Sequence, residues 1–504
     1  MIVIKCKNNS DLNSIYHLTK AFFPDQKIKQ QMDIEQEPQL ELTLNGGSCF
    51  IVLPEEVPIN EEKALLKKVY RYWSEYTGRT LPWGILTGVR PTKLAMKLIR
   101  EQENEVVEKI AVKKLVAGKM VAEKLVAEKV VAEKLERILC DKYFLSKEKA
   151  KLALEVARRE RKLLETLDLE DGFSLYISIP FCPSICSYCS FGSGELGNWQ
   201  EQVDEYVEKL CNEIDETGRR VAKENKVLNT IYMGGGTPTT LNVEQLEKLF
   251  AVIKQSFSLE QLIEYTVEAG RPETITKEKL RLFKREGVTR ISINPQSMNQ
   301  LTLEKVGRNH KVTDIVEAFK LARREGFDNI NMDLIIGLSG EGVPEILSTL
   351  RQIKELEPDS LTVHTLAMKR GSETSNEYKE KVETKNINQM LNLCYDAAKA
   401  MGLMPYYLYR QKNIAGNFEN VGFAKVDKAG IYNILIIEEV QTILGVGVGA
   451  TTKMVTRNKG EVGRDQVSHH EEGNPLIRRR ANTKDIGKYL AEGYRNATEY
   501  LLDD

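Results

Sequence analysis

No stretch of this 504-residue chain approaches the roughly 18–20 apolar residues that a membrane span needs. The strongest apolar run, IYNILII, is stopped by Glu438 and Glu439. The opening MIVIKCKNNSDL lacks the basic-then-apolar plan of a secretory signal and reads as a short strand. Charge of one sign is also missing: 72 Lys and Arg face 73 Asp and Glu, a net charge of −1. That balance excludes a global basic field for nucleic acid and an acidic tail. The one dense basic spot, Arg478-Arg479-Arg480, reads as a solvated helix face. Cysteine is scarce, with eight in the whole chain. Without a secretion signal these thiols are expected to stay reduced in the cytoplasm, which excludes a disulfide framework.

What is present is ordinary globular composition, 41% hydrophobic and 29% charged, at a length that implies two to four domains. Residues 1–60 read as a small α+β region, with a strand at MIVIKCK and a hairpin across Gly46-Gly47. Residues 61–170 are helical in character, broken by the turn-rich GRTLPWGILTGVRPTK at 78–93. Inside this region 106–135 repeat in fives, from VVEKI to VAEKL. A period of five turns a helix by roughly 140° per unit beyond a full turn, so the apolar stripe spirals. The expectation is a solvated helix that carries no chemistry.

From 171 to 370 short apolar strands alternate with amphipathic helices: LYISI, TIYMGG, EYTVEAG, RISINPQ, NINMDLIIGL and SLTVHTLA, with helices near 201–224, 243–256, 276–286, 313–325 and 345–355. Six β/α units in this length predict an α/β fold with a parallel sheet curved into a partial barrel. Residues 371–504 read as a further α/β domain, β-rich at PYYLYRQKN and GIYNILIIEEVQTILGVGVGA.

The unusual residues fall where such a sheet places reactive groups, at the C-terminal ends of its strands. Cys182, Cys186 and Cys189 follow the first strand and GGGTPT (234–239) the second. Glu268 ends the third strand, Gln296 the fourth, Asp333 lies in the fifth, and Ala367 ends the sixth. Structural zinc wants four ligands, usually paired, and C-x3-C-x2-C offers three. A [4Fe–4S] cluster normally takes four thiolates, so three leave one iron open to a ligand. The glycines of GGGTPT let that ligand approach the main chain, and Pro238 is expected to start a helix. Glu268 suits sugar hydroxyls, and Arg308 suits a carboxylate. Together they point to a ligand with ribose, amine and carboxylate.

C-x3-C-x2-C on the first βα loop with GGGTPT resembles the radical S-adenosylmethionine (SAM) superfamily. The resemblance implies a [4Fe–4S] cluster held by the three cysteines, its open iron bound to SAM. YISIPFCPSICSYCSF, MGGGTPT, RISINPQSMN, VGRNH and NMDLIIGL together resemble the oxygen-independent coproporphyrinogen III oxidases (dehydrogenases) over about 174–370. LPWGILTGVRPTK and YLYRQKNIAGNFENVG resemble the branch with a long N-terminal extension. Carried over, the likeness puts Tyr176, Gly235 and Glu268 on the cluster-bound SAM. It puts Tyr188, Gly236, Thr237, Gln296, Arg308, Asp333 and Ala367 on a second SAM. Two positions depart from the main oxidase pattern: Phe191 stands where a fourth cysteine is usual, and Ser178 where many relatives have histidine. Phe191 also occurs in the haem-chaperone branch of the same core.

The resemblance implies anaerobic decarboxylation of two propionates of coproporphyrinogen III to vinyl groups, in haem biosynthesis, with donor and acceptor of electrons unspecified. The substrate's four carboxylates call for arginines, with Arg370, Arg410 and Lys412 as guesses. The competing class is a haem carrier, which needs an axial ligand; His310, His364 and His469-His470 are available.

Overall fold

A computed structural model describes residues 1–32, 39–44, 47, 49–53, 56–58, 63–112, 120–189, 193–366, 384–410, 418–456 and 476–494. The chain divides into two compact units: Met1–Arg161 with Leu408–Asn420, and Lys162–Tyr407 with Val421–Asp504.

The first unit opens with a four-stranded sheet of β1 (Ile2–Cys6), β2 (Ile28–Met32), β3 (Leu40–Leu44) and β4 (Cys49–Val52), in the order β2-β1-β3-β4. The strand at the start and the β3–β4 hairpin match the sequence reading; β2, polar and half exposed, was not anticipated. Helices α1 (Asn9–Phe22), α2 (Ala64–Thr77), α3 (Thr92–Val112), α4 (Met120–Tyr143) and α5 (Lys147–Leu164) follow. The pentad repeat covers the end of α3 and the start of α4, with 113–119 outside the described residues. Trp73 Nε1 on α2 donates to Thr19 Oγ1 on α1 at 3.0 Å, fixing the two helices together. A buried ion pair, Lys149 with Glu419, is completed by Trp83 Nε1, which donates to the same carboxylate at 2.6 Å. Arg410, a guess for the substrate mouth, lies buried over the Trp83 ring with Nη1 donating to the Leu86 carbonyl. Arg370 and Lys412 lie outside the described residues.

The remaining strands are β5 (Gly172–Ile179), β6 (Phe181–Cys182), β7 (Gly194–Glu195), β8 (Val227–Gly235), β9 (Glu264–Glu268), β10 (Arg290–Ser292), β11 (Ile330–Ile336), β12 (Ser360–Thr365), β13 (Met404–Arg410), β14 (Glu419–Ala424), β15 (Thr442–Val446), β16 (Thr451–Thr456) and β17 (Leu476–Ala481); all belong to the second unit except the end of β13 from Leu408 and the first two residues of β14. Between them run α6 (Val203–Val221), α7 (Val243–Ser256), α8 (Lys277–Arg285), α9 (Gln300–Lys305), α10 (Val312–Arg324), α11 (Val343–Leu356), α12 (Thr384–Ala400), α13 (Ile431–Glu438) and α14 (Ile486–Glu492). Among the described residues the large sheet has the order β13-β14-β12-β11-β10-β9-β8-β5-β15-β16-β17. Its centre, β5-β8-β9-β10-β11-β12, is parallel throughout and in sequence order. Each crossover therefore advances one strand, and all six C-terminal ends open on one edge.

Local signals explain the helices. α6 buries Val203, Tyr206, Val207, Leu210, Ile214 and Val221, the spacing of one helix face, with acids in its first turn and arginines in its last. α7 begins with a capping box between Asn242 and Gln245. Pro238 starts only a 3-10 turn, Pro238–Thr240, because this cap sets the α-helix at Val243. Two other expectations are corrected. Arg478-Arg479-Arg480 lie on the edge strand β17, where Arg479 pairs with Glu439, not on a helix. The IYNILII run, read as β-rich, is helix α13.

The reason for α13 lies far away in the chain. Glu264 at the start of β9 accepts from the backbone N–H groups of Ile431 (2.5 Å) and Tyr432 (3.4 Å). A carboxylate there satisfies two orphan donors and opposes the positive end of the helix. Arg290, buried at the start of β10, supplies a counter-charge to Glu264. Removing one member of a buried charged group costs roughly 3–5 kcal/mol. Glu264→Ala is therefore expected to lower the urea midpoint of the second unit by a loss of that order, with Glu264→Gln losing less because it keeps an acceptor. Equal midpoints for wild type and Glu264→Ala would contradict this account.

Candidate functional site

Parallel register stacks polar side chains on one face of the central strands. Ser174, Tyr176 and Ser178 of β5 lie opposite Thr230, Tyr232 and Gly234 of β8. Thr230 and Tyr232 lie opposite Glu264 and Thr266 of β9, and Thr266 and Glu268 lie opposite Arg290 and Ser292 of β10. Asn331 and Asp333 of β11 continue the series opposite Ser360 and Thr362 of β12. These groups bond to one another: Thr230 to Ser174 (2.7 Å), Asn331 to Ser292 (2.8 Å), Ser360 to Asn331 (3.0 Å) and Arg290 to Ser360 (3.2 Å). A polar interior this well paired is what a binding site needs beneath it.

Toward the C-terminal edge, Tyr232 donates its hydroxyl to Glu268, and its ring packs with those of Tyr176 and of Tyr432 of α13 in a three-ring cluster, with centroids 6.2 Å (Tyr176–Tyr232), 4.6 Å (Tyr232–Tyr432) and 6.2 Å (Tyr176–Tyr432) apart. Burial pushes the Glu268 carboxyl up to about 7; Tyr232 opposes the rise, and the charge of Asp333 adds to it. Asp333 goes the other way. Burial would raise it, but His364, with Nε2 at 3.8 Å, and Asn331, donating at 2.7 Å, outweigh burial and hold it below the usual range. Two neighbouring carboxyl groups are thus pushed apart in pKa, one ionised and one half-protonated near neutrality.

Gln296 sits in the left-handed region (φ 64°), with its backbone bonded to Asp333 and Ile335 of β11. Its Oε1 is buried with no hydrogen-bond partner among the described residues. An orphan acceptor here fits a donor supplied by a ligand. Arg308 is buried; Nη1 donates to the Asn294 carbonyl at 2.6 Å, and Nε donates to the Tyr188 hydroxyl at 3.2 Å.

Cys182 ends β6, and Cys186 and Cys189 lie on the loop after it, where the Cys189 N–H donates to the Cys186 carbonyl at 2.9 Å. Cys182 Sγ stands 3.5 Å from Thr237 Oγ1. Burial raises the Cys182 thiol, and this hydroxyl pulls it back. The glycine turn lies directly against the thiol: a Cβ on Gly236 would come within 3.0 Å of Cys182 Sγ and 2.7 Å of the Phe181 oxygen. Gly235 has φ 110°, a conformation that side chains avoid. Among the described residues no three His, Cys, Asp or Glu side chains converge as ligands of one metal ion. A cubane asks for something else, since each thiolate binds its own iron. The residues fit such a group: three cysteines outside any disulfide on one short segment, a side-chain-free cradle beside them, and an orphan amide oxygen among the polar residues.

The structure therefore gathers Tyr176, Gly235, Gly236, Thr237 and Glu268 on the ends of β5, β8 and β9, with Gln296 and Asp333 bonded beside them and Tyr188 with Arg308 on adjoining loops. Ala367, Phe191, His469 and His470 lie outside the described residues. Ser178 is committed to structure, donating to the Val448 carbonyl at 2.7 Å. Sequence reasoning missed Tyr232, Tyr432, Arg290, Arg271 and Glu273. Arg271 alone left a signal, three residues past Glu268 at a strand end.

Residues 176–353 match the Radical SAM superfamily profile. The oxygen-independent coproporphyrinogen-III oxidase-like protein HemZ of Bacillus subtilis (strain 168) is 40% identical over 396 residues, 77% of this chain and 73% of that protein. The chain belongs to this family of radical SAM proteins. The family brings a [4Fe–4S] cluster and SAM as cofactors. The heme chaperone HemW of B. subtilis is 38% identical over 194 residues, 38% of this chain and 50% of its own length. The solved structure of Escherichia coli coproporphyrinogen III oxidase, HemN, shares the fold at TM-score 0.50 and 22% identity, covering 64% of this chain and 69% of that one. No described helix of this family member is long and apolar enough to cross a membrane.

The raised Glu268 carboxyl has a consequence for stability. An unfolded glutamate titrates near its ordinary value of about 4.3. Between there and about 7 the unfolded chain gives up a proton that the folded chain keeps. Stability of the ligand-free protein therefore falls as pH rises through this window and levels off above it. Melting curves of wild type and Glu268→Gln at pH 5 and pH 8 should show wild type losing more, by on the order of 3 kcal/mol. A difference between the two proteins that is identical at both pH values would mean that Glu268 titrates normally.

Proposed function

We propose that this radical SAM protein carries out the anaerobic oxidative decarboxylation of coproporphyrinogen III, converting two propionates to vinyl groups and giving protoporphyrinogen IX. The observation that carries the reading is the extent of the likeness to the B. subtilis oxidase-like protein. At 396 residues it reaches well beyond the radical SAM profile at 176–353. When bound, the cluster and SAM would supply the radical chemistry for hydrogen-atom abstraction at the propionate β carbon, the remaining electron passing to an outside acceptor as carbon dioxide is lost.

The chain's own residues then divide the work. Cys182, Cys186 and Cys189 would hold the cluster. Tyr176, Gly235 and Glu268 face one SAM, with Glu268 accepting from its ribose hydroxyls. Tyr188, Gly236, Thr237, Gln296, Arg308, Asp333 and Ala367 serve a second, where the orphan Gln296 oxygen accepts from a donor and the buried Arg308 faces a carboxylate.

A haem carrier is the second reading, favoured by the 38% identity to the B. subtilis chaperone over the core. It requires an axial ligand. His310 and His364 both face carboxylates, at 2.8 Å from Glu273 and 3.8 Å from Asp333.

Anaerobic reconstitution with SAM, a reductant, an electron acceptor and coproporphyrinogen III separates the two. The oxidase produces a tricarboxylic intermediate and then protoporphyrin, with matching 5′-deoxyadenosine. Cofactor cleavage with untouched porphyrinogen overturns this reading and leads to haem titration. Cys186→Ser should abolish 5′-deoxyadenosine in either case, by at least about a hundredfold.

A further inference from the structure

The loop carrying Cys186 has few backbone bonds of its own, yet it is held from two sides. The turn at 306–308 docks on it: Ser187 N–H donates to the Val306 carbonyl at 3.1 Å, and Ser184 Oγ donates to the Gly307 carbonyl at 2.8 Å. From the other side comes Arg271, on the loop after β9, with its side chain 3% exposed. Arg271 Nη2 donates to Ser184 Oγ at 2.8 Å, and Nη1 to the Ser184 carbonyl at 3.2 Å. The same Nη1 stands 3.6 Å from Cys186 Sγ as donor.

Arg271 is itself aimed. Its Nε and Nη2 lie 2.9 and 2.8 Å from Glu273 Oε1, while Oε2 lies 2.8 Å from His310 Nδ1, close enough for an ion pair though not aligned as a hydrogen bond. The His310 side chain is fully buried, two residues past the docked turn. One chain of polar contacts therefore runs from His310 through Glu273 and Arg271 to the sulfur of a cluster cysteine.

We propose that Arg271 is a positioning residue for Cys186, aimed by Glu273 and His310, which holds the cysteine loop in its ligating shape and raises the reduction potential of the cluster. The physical basis is that a cation and an N–H···S bond at a ligand sulfur withdraw charge from the cluster, favouring the reduced state. The inference rests on the three-cysteine cluster, and the measurements below fail separately for the two.

The test uses the full chain as wild type, Arg271→Gln, Arg271→Lys and Glu273→Gln. Iron and sulfide content with the paramagnetic resonance signal of wild type comes first; absence of a cluster there overturns the cluster reading itself. With a cluster present, a redox titration followed by the same signal should show Arg271→Gln about tenfold less reduced at a fixed potential, which is ~59 mV for one electron. Arg271→Lys should recover at least half of that shift. In the cluster-free protein, amide exchange of a peptide spanning 183–189 should quicken at least several-fold in Arg271→Gln and Glu273→Gln. A wild-type potential in Arg271→Gln overturns the proposal whatever the exchange shows. Should Arg271→Gln fail to take up the cluster, Glu273→Gln decides by the same titration, since it keeps the cation and removes its anchor: a lowered potential supports the proposal and an unchanged one overturns it.

Discussion

Register between β5 and β8 sets Tyr176 beside Tyr232 and Ser178 beside Gly234, and everything else at the site is placed by that pairing. Strand side chains alternate between faces, so a slip of one residue would turn the whole polar series outward. It would send Leu175, Ile177, Ile231 and Met233, all fully buried, into the polar interior. Because the alternating partners are so unlike, the register is strongly specified by burial alone. Glu268, Ser292 and Asp333 inherit their positions strand by strand from the same constraint.

Charge buried inside such a sheet needs compensation in three dimensions. The charge of Arg290 interacts at a distance with Tyr406, Glu264, Tyr232 and Asp333, and Glu264 spends its oxygens on Thr266 and on the first amides of α13. Helix α13 in turn carries Tyr432 onto the Tyr232 ring. The stack therefore ties a C-terminal helix to the strand whose next residues are the glycine turn. Glu264 is thereby joined to Tyr232, the partner of Glu268, through a continuous series of hydrogen bonds and ring contacts.

Much of this was legible in the sequence because the parallel strands and their helices have strong periods and the reactive residues sit at strand ends. The six strand segments, the helices between them, the thiol segment and the glycine turn are all local signals. What escaped had no local signal. Ile431–Glu438 looked like a strand because its apolar residues are nearly continuous; a glutamate far earlier in the chain makes it a helix. Arg478–Arg480 form an edge strand because β16 pairs with it, a contact that charge alone does not announce. Arg290 and Tyr432 are unremarkable in sequence and become informative only when the register and the α13 cap bring them to the same interior. Thr237 was found as part of a motif, but its contact with Cys182 depends on the glycine turn folding back to the first loop.

The cysteine loop shows why a radical site needs more than its motif. A cluster ligand must be fixed in place, yet a loop long enough to carry three thiols has little hydrogen bonding of its own. Here the fixing comes from the loops after β9 and α9, through Arg271 and the turn at 306–308. Those loops also carry Arg308, which holds Tyr188 between the second and third cysteines. Groups that position the thiols and groups that face the cofactor therefore share the same short segments. Substitutions in RPET or VGRNH would disturb both together, so two separate residue classes should not be expected at this site. The ends of a parallel sheet make that sharing unavoidable, because every loop that can reach the first strand's cysteines also lines the space above them.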